Sequence, residues 1–199
     1  WVDFNGTKAL IKGENSDTGK NNGIYAELIV EEIFSQLGIE TAHYDLIKCK
    51  DENGGMVCGV LSQSIVDTDK GEDLLTLHDI IGDEENPKSR NITDYEFVIS
   101  RLNSQLRMKG YDEEQISKVV SDFKKRLLAT IVTIDEDKHT ENFSFIVTNK
   151  PNEKSTIRIA PNYDSEGSFL MPMNQDTLDM IINDEGVDVG LIESAVQSV

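Results

Sequence analysis

Asp137-Lys138-His139-Thr140-Glu141-Asn142 is the stretch on which the reading of this chain turns, taken together with Asp164 in Ala160-Pro161-Asn162-Tyr163-Asp164. An Asp, an Asn five residues on, and a second Asp beyond a short hairpin are the groups that phosphoryl transfer calls for. Asp137 would accept or orient the proton of an attacking hydroxyl. Asn142 offers Mg²⁺ a neutral oxygen without adding an anion beside Asp137. Asp164 offers the carboxylate, because Mg²⁺ favours carboxylate oxygen together with phosphate and water. His139, lying between them, reads as a structural hydrogen-bonding residue rather than an acid or base. A polar turn between a helix and a strand would account for the six residues taken alone, so their flanks decide the matter.

Upstream, 112–134 reads as the longest and best-patterned helix. Ile116, Val119, Val120, Phe123, Leu127, Leu128 and Ile131 form a continuous apolar stripe. At about 1.5 Å per residue it runs roughly 30 Å, enough to cross a small lobe as its central helix. Downstream, Phe143 to Thr148 and Thr156 to Ala160 read as a hairpin. A loop held between a buried helix and a hairpin keeps catalytic side chains in place at little entropic cost.

Further from the motif, Val2 to Phe4 and Lys8 to Lys12 read as strands around Asn5-Gly6. Tyr25 to Leu37 reads as a helix on Ile29, Val30, Ile33, Phe34 and Leu37, closed by Gly38. Tyr44 to Lys50 and Met56 to Ser62 form a second hairpin. Glu72 to Ile81 is expected to be a short helix, and Asp94 to Met108 another, capped by Thr93. Two weak helices are expected near 175–182 and 189–196. These elements imply an α+β chain: a β-rich lobe with one helix over 1–64, then a mainly helical lobe over 65–199 that carries the catalytic loop. This is the order of a two-lobed kinase with ATP bound in the cleft.

In Ala9-Leu10-Ile11-Lys12 a lysine ends an apolar strand just before a loop and a helix. A kinase uses such a lysine to pair with ATP phosphates and with a helix glutamate. Glu27, expected in the first turn of the following helix, is the candidate partner, although a glutamate there also favours a helix N-terminus. The nearby Gly13-Glu14-Asn15-Ser16-Asp17-Thr18-Gly19-Lys20-Asn21 resembles a phosphate-cradling loop only superficially. It has five residues between its glycines instead of four, Asn21 where Ser or Thr belongs, and two acids where phosphates would sit.

The 199 residues carry a formal charge of −18, with 38% hydrophobic and 28% charged residues. Such a chain repels phosphate backbones and anionic lipid surfaces, so neither direct nucleic-acid binding nor membrane binding is expected. A nucleotide site must therefore be made locally cationic by Lys and Mg²⁺. The densest acidic patch, Asp83-Glu84-Glu85, reads as a solvated loop. No apolar run approaches the roughly 18 residues of a membrane span. With only Cys49 and Cys58, two free thiols and a reducing, cytoplasmic setting are expected; one disulfide across the second hairpin is the alternative.

On these pieces the chain resembles the HipA-like kinases. The matching segments are Leu10-Ile11-Lys12, Tyr25-Ala26-Glu27 through Gln36-Leu37-Gly38-Ile39, Gly59-Val60-Leu61-Ser62, Asp137 through Ser144, and Ala160 through Asp164, in the family's order. Phosphatidylinositol 3/4-kinases share a similar Asp-Arg-His-x-x-Asn core, with Lys138 here in the Arg place. The resemblance implies a bilobal protein-kinase-like fold and ATP- and Mg²⁺-dependent transfer to serine or threonine of a protein, including the kinase itself. It implies that Asp137 is catalytic, that Asn142 and Asp164 bind metal, that Lys12 binds phosphate, and that backbone around Ser62 and Ser64 holds adenine. Members of the family pair with DNA-binding antitoxins, which makes an antitoxin-like protein a candidate partner. The alternatives are a lipid kinase-like protein, which the negative charge disfavours, and a nucleotide-binding pseudokinase without catalysis.

Overall fold

A computed structural model describes residues 1–4, 6–13, 23–50, 54–82, 94–135, 139–151 and 153–170. Within them the chain is mixed α+β, with two antiparallel sheets built from successive parts of the sequence. The first contains β1 (Val2–Phe4), β2 (Thr7–Gly13), β3 (Tyr44–Lys50) and β4 (Met56–Gln63), in the order β1-β2-β4-β3. Gly6 makes the first turn possible: its φ of +81° is open to glycine, and its N–H donates to Asp3 Oδ1 at 2.8 Å. In the β2–β4 register Lys12 lies opposite Val60. The β3–β4 register pairs Cys58 with Lys48, one residue out from Cys49, and Cys58 is a free thiol.

Helix α1 (Gly23–Gln36) lies beside this sheet and starts earlier than its sequence pattern suggests. Ile24 packs with Ala42, Tyr44 and Val60, while Val30 and Phe34 meet Ala129. Ile29 and Leu37, expected on the apolar face, are exposed; Ala26 and Glu27 are buried in their stead. The earlier start also puts Glu27 beyond the first turn, so it does not act on the helix N-terminus.

The second sheet has the order β5-β6-β7, from β5 (Glu72–Thr76), β6 (Ser144–Thr148) and β7 (Thr156–Ile159). The helix expected over Glu72 to Ile81 is thus half strand. Leu74 and Leu75 pair with Ile146 and Phe145, and only α2 (Leu77–Ile81) is helical. The switch falls at Thr76, whose hydroxyl accepts from Asp79 N–H while the Asp79 carboxylate accepts from Thr76 N–H, a reciprocal cap that starts a helix at that point. Just before β5, Gly71 (φ +73°) brings the chain so close to Asn149 that a Cβ would lie 2.6 Å from its carbonyl oxygen.

Helices α3 (Tyr95–Met108) and α4 (Glu113–Val132) cover the second sheet. Asp94 caps α3 and Asp112 caps α4, each accepting a backbone N–H three residues on; Thr93, the cap expected for α3, lies outside the described residues. The core gathers Leu77, Leu102, Leu106, Ile116, Phe123 and Phe145, with Phe143 set edge-on to Phe123 at 5.2 Å. Toward its C-terminus the α4 stripe breaks down. Leu128 and Ile131 are exposed, whereas Arg126 is buried. The acidic patch at 83–85, the loop over 14–22 and the expected tail helices near 175–182 and 189–196 lie outside the described residues.

Candidate active site

Lys12 stands next to last in β2, and its ammonium is the centre of the site. Lys12 Nζ donates to Glu27 Oε1 at 2.9 Å and to Asp164 Oδ1 at 2.6 Å, a partner 152 residues away. Glu166 Oε2 lies 3.9 Å from the same nitrogen. One ammonium thus faces three carboxylates, a net charge of −2 from +1 and −3. Burial works against the charge on Lys12, but the charges of Glu27 and then Asp164, with their hydrogen bonds, outweigh it and hold the ammonium above the ordinary lysine range.

Glu27 is 1% exposed, so its charge must be matched inside the protein. Lys12 satisfies one oxygen; the backbone N–H of Ser165 donates to the other at 3.0 Å. The Tyr44 hydroxyl accepts the Asp164 N–H at 3.3 Å and lies within the field of Glu27. Burial, and next the negative charge of Glu27, push the Tyr44 phenol well up, so it stays protonated. Asp164 itself sits at φ +57°, a left-handed conformation uncommon outside glycine and asparagine-like residues.

Asn142 is buried at the turn between α4 and β6, with its N–H bonded to His139 O at 3.0 Å. His139 also accepts the Glu141 N–H on Nδ1 at 3.2 Å, in keeping with a structural role. Asp137 lies outside the described residues, as do Glu136 and Lys138. Ser62 and Ser64 line a cleft of about 970 Å³ together with Leu10, Lys12, Tyr44 and Asp164, a volume in the range of ordinary small-ligand pockets. The Ser64 amide is already committed to Lys8 O at 2.9 Å, and its hydroxyl bonds Val66 O at 3.0 Å. An adenine held here would therefore have to use other groups of that segment.

The structure brings together Lys12, Glu27 and Asp164 directly and sets Ser62 and Ser64 on the wall of the same cleft. Four residues that sequence reasoning passed over complete the arrangement: Tyr44, Arg126, Asn162 and Ser165. Arg126, from α4, is 1% exposed and donates to Asn162 Oδ1 at 2.9 Å, Ala160 O at 2.8 Å and Asn142 O at 3.4 Å. Its guanidinium also lies over the Phe143 ring at 5.3 Å. Burial pulls it down to about 10, still well above neutrality, so it remains a cation. The only sequence signal was an arginine between Phe123 and Leu127, inside an otherwise apolar stripe.

Among the described residues no three His, Cys, Asp or Glu side chains converge as a metal cage. A Mg²⁺ site of one carboxylate and one amide, completed by phosphate and water, needs no such cage. No helix among the described residues is long and apolar enough to cross a membrane. No protein-family model matches this chain, and no curated protein matches it.

Proposed function

We propose that the chain is a two-lobed, HipA-like kinase that transfers the γ-phosphoryl group of ATP to a serine or threonine of a protein, itself included. The observation that carries this reading is the meeting of Lys12 with Glu27 and Asp164 beside the cleft, from segments 152 residues apart that the sequence had separately marked. The lobes would be 1–64 and 65–199, with the nucleotide between them. In the reaction the substrate hydroxyl oxygen forms a bond to the γ-phosphorus, the bond from that phosphorus to the β–γ bridging oxygen breaks, the hydroxyl proton goes to Asp137, and ADP leaves. Lys12 would bind phosphate, with Glu27 holding the ammonium in place.

Asn142 and Asp164 would hold Mg²⁺, whose chemistry here is to neutralise charge on the phosphates. The donor set fits that ion: oxygen ligands beside a cluster of net charge −2 favour a divalent cation and repel uncomplexed ATP. The acidic surface directs the kinase to protein rather than lipid, and a partner protein of antitoxin type is part of the proposal.

The test is incubation with γ-labelled ATP and Mg²⁺, comparing the parent with Asp137→Asn and Asp164→Asn. Both variants should lose on the order of 10² or more in rate. Equal labelling of Asp137→Asn and parent would sink the mechanism, and label in inositol lipid instead of protein would redirect it. The third carboxylate beside Lys12, Glu166, favours a second reading, a nucleotide-binding pseudokinase, because it competes with phosphate for the ammonium. ATP that raises the melting temperature without any labelling would select that reading.

A further inference from the structure

Asn142 and Asp164, the proposed metal ligands, lie on different turns, and nothing in their sequence spacing makes those turns move as one. Arg126 joins them. Its Nη2 donates to the carbonyl of Asn142 itself, and its Nη1 and Nε donate to Ala160 O and Asn162 Oδ1. Asn162 passes the connection on: its Nδ2 donates to Ser165 Oγ at 2.8 Å. Ser165 follows Asp164 and gives its N–H to Glu27. The backbone of Asn162 is tied to the first sheet's side of the molecule as well, donating to Glu40 O at 2.8 Å and accepting from Ala42 N at 2.7 Å.

The chemistry of the pieces suits a fixed fork. A guanidinium presents several donors in one rigid plane and stays charged when buried. A core position filled only for volume would take leucine or methionine and leave no buried donors to satisfy. Here all three acceptors belong to the two segments that flank the proposed metal ligands, and the guanidinium rests on Phe143, the residue after Asn142.

We propose that Arg126 is a positioning residue: a buried cation on the central helix that locks the Asn142 turn and the Asp164 turn into one rigid unit, so that both oxygens are presented to Mg²⁺ together. The proposal rests on the kinase reading for the identity of the metal. The coupling of the two turns stands on the geometry alone.

The experiment is hydrogen exchange by mass spectrometry on the full chain, with steady-state kinetics alongside, for the parent, Arg126→Lys and Asn162→Ala. Lysine keeps the charge but cannot span three acceptors. In Arg126→Lys, exchange at 139–142 and at 160–165 should rise about tenfold or more while 116–123 of α4 keeps the parent rate. The Mg²⁺ concentration for half-maximal rate should rise roughly tenfold, with KM for ATP within about twofold. In Asn162→Ala only 160–165 should loosen. Parent-like exchange at both turns in Arg126→Lys, or a uniform rise across α4 in the folded variant, would overturn the proposal. If Arg126→Lys does not fold, parent-like exchange at 160–165 in Asn162→Ala overturns it equally. A parent without phosphoryl transfer would defeat the kinase reading and leave the exchange result to decide the coupling.

Discussion

Replacing Lys12 by Met is the perturbation that most directly probes the assembled site. Methionine keeps the length and apolar stem but removes the charge. Asp164 and Glu166, 35% and 43% exposed, can then turn to water. Glu27 cannot: at 1% exposure, the Ser165 N–H is the hydrogen bond it retains among the described residues. Removing one partner of a buried ion pair costs about 3–5 kcal/mol, and nearly all of that cost should come from Glu27. At roughly 2–4 °C per kcal/mol for a chain of this size, the melting temperature should fall by about 6–20 °C. Glu27→Gln should cost less, about 1–3 kcal/mol, because Lys12 keeps Asp164 and partial access to solvent. The double variant Lys12→Met/Glu27→Gln should then recover part of the loss, with a coupling energy of about 1–3 kcal/mol. Urea unfolding of the four proteins measures this, provided the slopes agree. A Lys12→Met variant within about 1 kcal/mol of the parent, or strictly additive losses, would refute the claim that Glu27 depends on Lys12 for its burial.

Two further outcomes follow from the geometry. The His43 ring, bonded through Nδ1 to Glu31 Oε1 at 2.6 Å, should titrate above its ordinary 6.5 because that hydrogen bond favours the imidazolium. Its folded value is raised, so its contribution to stability is fully present below the unfolded value and is lost as pH rises through the folded one. Imidazole NMR titration should show the raised midpoint, and Glu31→Gln should return it toward 6.5, with no change in that variant counting against the assignment. Thr76→Ala removes the cap at the strand-to-helix switch and should destabilise by about 1 kcal/mol in chemical unfolding; no loss would mean that α2 is started by its packing on Leu77 and Ile80 alone.

Much of the fold was legible because its signals are local. The α4 pattern and the hairpins each lie within a few residues. The failures mark where tertiary contact outweighs pattern. Leu74 and Leu75 read as helix by composition, yet a β6 edge was available to pair with them. The apolar register of α1 was displaced because the face toward the site must present Glu27 to Lys12, so Ile29 turns outward. The site was legible in Lys12, Glu27 and Asp164, whose residue types are tied to a recognisable chemistry. Arg126 and Asn162 were not, since a buried arginine inside an apolar stripe looks like a surface residue until its acceptors, up to 36 residues away, are folded against it. His43 carried no readable role for the same reason: its partner Glu31 lies on another element.

The left-handed backbone at Asp164 shows how the parts depend on one another. Aspartate tolerates this conformation better than most residues with a Cβ, yet a free loop would still relax it by rotating φ. Asp164 is held from every side. Its N–H is fixed by Tyr44 of β3, its carboxylate by Lys12 of β2, the next N–H by Glu27 of α1, and the residue two before it by Arg126 of α4. Three of these four restraints come from the first sheet and its helix, the fourth from the helix that covers the second. The carboxylate thus takes its aim from contacts made by both the first sheet's elements and α4. A change that shifts the first sheet against α4 should therefore be felt at Asp164 before it is felt in either core.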